Sequence, residues 1–167
     1  MRLENIEKSL QGALVGKNLQ YIKRTCELVE LGFGRIFRRK NRHGKDVEVA
    51  EYTLHLLCPF RITAMGKILI GSDDLFVSSS KETDLVDLDK HGTCVFDERL
   101  ELFHHFCMNE IVSSVVLTEN GDLNLQLTTL QLSVFCVSST ESEMWRFFET
   151  GTDKPHVIRV GNKYDIF

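Results

Sequence analysis

The stretch IVSSVVLTENGDLNLQLTTLQLSVFCV, from Ile111 to Val137, decides the fold class. Ile111 to Leu117 and Asp122 to Leu127 flank Asn120-Gly121, a dipeptide that favours the positive φ angles of a tight hairpin turn. Leu123, Leu125 and Leu127 alternate with Asn124 and Gln126, so one face meets a core and the other meets water. Thr128-Thr129 leads into a third run, Leu130 to Val137. Three consecutive strands joined by short turns form an antiparallel meander, because parallel neighbours need a long crossover.

Towards the N-terminus, Leu3, Ile6, Leu10, Ala13 and Leu14 recur at spacings of three and four, which predicts a short amphipathic helix stopped near Gly16. Leu19 to Phe33 is rich in β-branched and aromatic residues, and its apolar parity changes midway, so it reads as one or two strands with a bulge or bend. Arg35 to Lys45 holds six Lys/Arg and no acid, and His43-Gly44 suits a turn; this is a basic hairpin tip. Val47 to Ile62 alternates as the next strand, with Pro59 at its end or on an edge, and Lys67 to Ile70 is a short strand between glycines. Asp97 is a suitable N-cap for a helix running to about Met108, apolar on two sides and therefore expected to be well buried. Past the meander, Thr140 and Glu143 form a capping-box pattern that predicts a short helix carrying Met144 to Phe148. Val157 to Val160 and Tyr164 to Phe167 close the chain as strands. The expected architecture is α+β: a predominantly antiparallel curved sheet, half-barrel or sandwich, with the N-terminal and mid-chain helices packed on it.

The 167 residues, 43% apolar, suit one domain with a single core, and two prolines with no low-complexity tract argue against disorder. Acids near the N-terminus occupy the place of a signal peptide's apolar run, and no segment is long and apolar enough for a membrane span. A cytoplasmic location with no membrane partner is the expectation. Five scattered cysteines, an odd number, fit reduced and mostly buried thiols better than a disulfide framework. The net charge of −4 hides an uneven distribution. The basic tip contributes +6, while residues 72–89 carry six acids against Lys81 alone. Outside the tip 14 bases face 24 acids, a balance that would repel a polyanion, so nucleic acid is not an expected partner.

Three His-x-x-Cys pairs, His55/Cys58, His91/Cys94 and His104/Cys107, raise a zinc site on ligand type. Residues three apart on a strand point to opposite faces, which argues against His55 with Cys58, whereas His104 and Cys107 on a helix could share a metal. The familiar zinc spacings are missing, and no nucleophile elbow or phosphate-binding glycine motif is present. No cofactor and no metal is therefore expected. Asp73-Asp74 after a strand is a cation-binding candidate whose simpler reading is two solvated acids. Trp145 and Arg146 belong to the richest aromatic cluster, which core packing explains; a partly exposed Trp145 beside Arg146 would instead suit a partner interface.

Three motifs, His55-Leu56-Leu57-Cys58-Pro59-Phe60-Arg61-Ile62, Gly71-Ser72-Asp73-Asp74-Leu75-Phe76 and Met144-Trp145-Arg146-Phe147-Phe148, resemble an uncharacterised family of small bacterial cytoplasmic proteins. In that family the first motif often has Trp where this chain has Phe60. The resemblance covers the chain from about residue 12 and implies no activity; in size and composition such domains look similar to immunity proteins of toxin systems. Two functions are carried forward. One is a non-enzymatic domain that presents the acidic 72–89 segment, with Asp84, Asp87 and Asp89, to a basic protein partner, Trp145 and Arg146 adding to the interface. The other is a small-molecule or metal-binding domain, conceivably an enzyme, centred on His55, Cys58, Arg61, Asp73 and Asp74. Free sheet edges make a homodimer a further option.

Overall fold

A computed structural model describes residues 3–41, 43–106 and 109–167, with only the backbone of Phe106. Among the described residues the fold is α+β, built from two open antiparallel sheets and two α-helices. The first sheet has the order β1 (Leu19–Thr25), β2 (Leu28–Lys40), β3 (Asp46–Leu56), β9 (Glu143–Glu149), β10 (Val157–Val160), β11 (Lys163–Ile166). The second has the order β5 (Lys67–Gly71), β4 (Phe60–Ala64), β8 (Gln131–Val134), β7 (Leu123–Gln126), β6 (Ser114–Leu117). One apolar cluster lies between them, with Phe33, Leu54 and Trp145 from the first sheet and Phe60, Leu125 and Leu132 from the second.

The predicted meander is present as β6, β7 and β8, and Leu123, Leu125 and Leu127 are buried. Its turn differs from a two-residue hairpin. Thr118 N donates to Asp122 O and Gly121 N to Thr118 O, and Gly121 alone takes positive φ, at 91°. That is the three-residue loop whose last position needs the left-handed region, the usual place for glycine. Helix α1 (Leu3–Leu14) matches the predicted span and buries Ile6, Leu10 and Leu14. Its polar side also covers the open edge of β6. Leu117 N donates to Glu7 Oε1 at 3.0 Å, and Gln11 Nε2 donates to Val115 O at 2.9 Å. Side chains thus replace a missing strand and blunt an edge that could pair with another chain.

Four expectations are corrected. Val47 to Ile62 is not one strand: Leu57 N still donates to Met144 O in the first sheet, while Pro59 O accepts from Phe135 N in the second. The chain changes sheet at Cys58, where Pro59 has no N–H to continue a ladder. Residues 143–149 form a strand, not a helix, seated centrally between β3 and β10. Consecutive Met144 and Trp145 point to opposite faces and both are buried, so the segment lacks the alternation of a half-exposed strand. The second helix, α2 (Val95–Phe106), begins two residues before Asp97, which lies in its first turn and binds Arg24 instead of capping. Its exposure is also greater than expected: Leu100 and Phe103 are buried, but Leu102 is half exposed. Arg35 to Lys40 belong to β2 itself, so the basic stretch is a strand end plus its turn.

The open edge of β1 is covered by α2. His104 Nε2 accepts from Ile22 N at 3.2 Å, and burial lowers the His104 pKa, keeping the imidazole neutral and able to accept. Cys107 and Met108 lie outside the described residues. No helix among the described residues is long and apolar enough to cross a membrane.

Candidate functional site

The acidic segment is a built loop. Its ends are zipped together: Ser78 bridges Cys94, Ser79 N donates to Thr93 O, and Val95 N donates to Val77 O. A short 3₁₀ turn, Ser72–Phe76, leads into it and α2 follows. Between these ends the chain makes an Ω-type loop whose Val86 and Leu88 pack partly against the core.

Arg24 holds the neck of this loop. The residue is 3% exposed, and all five guanidinium donors find acceptors. Nε and Nη2 donate to the two Asp97 carboxylate oxygens, each at 2.6 Å, in the bidentate fork that suits arginine. Nη1 donates to Leu88 O at 2.7 Å and Cys26 O at 3.3 Å, and Nη2 also donates to Lys90 O at 2.8 Å. Two loop carbonyls are therefore tied to β1 through one buried cation. Burial alone would raise the Asp97 carboxyl; hydrogen bonds from Arg24, Gly92 N–H and Cys94 outweigh it and hold that group well below the usual carboxylate range.

The acids of the loop divide by role. Asp87 pairs with Lys90 at 3.1 Å, which lowers its pKa, and accepts from Asp89 N. Asp89 accepts from the Cys26 thiol at 3.2 Å. Glu82 and Asp84 are exposed, and neither side chain has a partner among the described residues. Between them and Val86 stands Leu85, 82% exposed. The outer tip is thus a large apolar side chain beside unpaired acids, on a loop that Arg24 fixes from below.

The five residues of the alternative site have different neighbours. His55, on β3, lies 3.4 Å from Glu30 and edge-on to Phe148. Burial pushes the Glu30 carboxyl up, but His55, Lys23 and Tyr21 bring it down to about 2. Arg61, on β4, stacks over Phe135. Asp74 accepts from Gly71 N at 2.8 Å, a structural turn bond, while Asp73 is exposed beside Ser72. Among the described residues, no three His, Cys, Asp or Glu side chains gather in a way that could hold a metal ion. Trp145 is fully buried and donates its Nε1–H to Gly121 O at 3.0 Å, so the partly exposed anchor is corrected to a core residue. Arg146 pairs with Glu143 at 2.7 Å on the same strand.

Cys58 neighbours Cys136, and Cys136 lines a polar cleft of about 480 Å³ together with Glu119, Asn120, Ser138, Arg159 and Asn162. Arg159 is 4% exposed, donates Nη2 to Asn120 O at 2.8 Å and stacks on Tyr164. Cys136, Arg159 and this cleft were invisible to motif reading, because residue 136 comes opposite residue 58 only through the register of β4 on β8. Comparison of the chain with protein-family models, curated proteins and solved structures finds no match.

Proposed function

We propose that this chain is a non-enzymatic protein-binding domain that engages a basic partner through the tip of its acidic loop, in the manner of an immunity protein that masks a cationic toxin surface. The observation that carries the reading is the Arg24 anchor. A loop already tied at Leu88 O, Lys90 O and Asp97 gives up little conformational freedom on binding, which is where flexible loops lose affinity. Glu82 and Asp84 supply charge for steering, and Leu85 supplies an apolar side chain to desolvate. Asp87 and Asp89 serve the loop's own shape, so the recognition chemistry is narrower than the full acidic segment.

The test uses the wild-type chain and the triple variant E82Q/D84N/L85S as baits against lysate of the source cells, followed by titration of the recovered protein. Burying a leucine contributes roughly 1.5–3 kcal/mol, so affinity for a basic partner should fall at least about tenfold in the variant. Binding by wild type should weaken steeply with salt. Equal affinity of both baits, or no protein retained by the wild type over the variant, overturns the reading.

A further inference from the structure

We propose that Cys58 and Cys136 are a redox-active dithiol that closes to a cross-strand disulfide by exchange with a small disulfide admitted through the cleft at Cys136. The argument starts from register. β4 pairs with β8 as Phe60 opposite Val134 and Arg61 opposite Ser133, and Phe135 N donates to Pro59 O. Continuing the same register sets Cys58 opposite Cys136. Pro59 and Phe135 form the hydrogen-bonded position, so the next pair is the close, non-hydrogen-bonded kind, with Cα atoms about 4.5 Å apart, inside the span a disulfide bridges. The backbone agrees: Cys136 N turns away from Cys58 and donates to Asp122 Oδ1 at 2.7 Å. Each thiol shifts the titration of the other, as neighbours do, and neither is in a disulfide.

The two sulfurs are not equivalent. Cys136 lines the cleft and Cys58 does not. Hydrogen bonding from the Cys58 thiol lowers the Cys136 pKa, burial opposes this, and the Arg159 guanidinium and the Trp145 indole add to the lowering. Cys58 is pushed the opposite way by the same partner and by burial. Cys136 Sγ donates to Gly121 O at 3.1 Å at the cleft wall, where an incoming disulfide reaches it before Cys58; Cys136, once deprotonated, is therefore the attacking sulfur and Cys58 the resolving thiol.

In the first step Cys136 Sγ attacks one sulfur of the incoming disulfide; a mixed disulfide forms and one thiolate leaves. That thiolate takes the Cys58 proton. Cys58 Sγ then attacks Cys136 Sγ, the Cys58–Cys136 bond forms, and the second thiolate departs. Two electrons pass from the protein to the small disulfide, which ends as one thiol and one thiolate. The polar cleft suits a charged, water-soluble disulfide of the glutathione class.

The experiment incubates the full chain with oxidised glutathione and maps products by peptide mass. Wild type should yield an intramolecular disulfide joining the peptides of residues 58 and 136, with quenching of its single tryptophan, Trp145, which shares the Gly121 carbonyl with Cys136. C58S should stop at a glutathione adduct on Cys136, and C136S should modify Cys58 at least about tenfold more slowly. Exposed Cys26 reports that the reagent is active. If Cys26 is modified while the 58–136 disulfide does not form in wild type, or if C58S and C136S react at equal rates, the proposal fails. Where either variant does not fold, alkylation of wild type decides: Cys136 should label with a midpoint pH below that of Cys26, and the opposite order overturns the assignment.

Discussion

Removing the carboxylate of Asp97 should be among the most damaging single changes in this protein. Arg24 has a side chain 1% exposed and Asp97 one 10% exposed, so solvent screens their pairing little. In D97A the guanidinium loses two acceptors and its counter-charge yet stays buried, which costs about 3–5 kcal/mol. For a domain of this length that lowers Tm by roughly 8–15 °C. Removing Arg24 instead, as R24M, leaves no buried cation but frees the Leu88, Lys90 and Cys26 carbonyls and unpins the loop. The double variant R24M/D97A should therefore be more stable than the two single losses predict, with a coupling of about 2 kcal/mol. Urea unfolding followed by Trp145 fluorescence measures all three. Trypsin gives a local readout, because Lys81 and Lys90 lie in the loop and should be cut faster in R24M. A loss below about 1 kcal/mol in D97A, or additive losses in the double variant, would show that Arg24 and Asp97 are not the hub described.

The acid limb of stability should depend on Glu30, whose folded pKa of about 2 lies below its unfolded value. A depressed carboxylate contributes stability that is complete above about pH 4.3 and is lost as pH falls towards 2, at most roughly 3 kcal/mol for this group. E30Q should flatten the pH dependence of urea unfolding in that window, and an unchanged slope would refute the assignment. Replacing Gly121 with alanine places a Cβ against the Arg159 side chain at a φ of +91°, and should cost about 1–3 kcal/mol by the same assay. Stability unchanged in G121A would contradict the turn geometry. Removing the polar cover of β6 with E7A/Q11A should cost about 0.5–1.5 kcal/mol per lost bond and promote self-association, read by light scattering at rising concentration. A monomer of unchanged stability would mean that α1 covers the edge by apolar packing alone.

The parts of the fold legible in sequence are those specified by neighbours along the chain. The meander follows from period-two alternation around Gly121, and α1 from three- and four-residue spacing, because each pattern reports its own local geometry. The same reasoning misplaces residues 143–149. Thr140 and Glu143 satisfy a local capping pattern, but the ladders to β3 and β10 supply hydrogen bonds on both sides and bury Met144 and Trp145 on both faces. Burial on two faces erases the alternation that would have marked a strand. Of the candidate site, the acidic loop was visible as a run of charge, yet its anchor was not: Arg24 and Asp97 are 73 residues apart, and nothing near either residue names the other.

Sequence alone determined the antiparallel α+β class and the acidic body, since periodicity, turn residues and charge are properties of short segments. Tertiary structure alone decided which acids are spent on the loop's own shape, that Trp145 belongs to the core, and that Cys58 meets Cys136. Each of these depends on pairing between distant segments, where strand register, not residue type, chooses the partners.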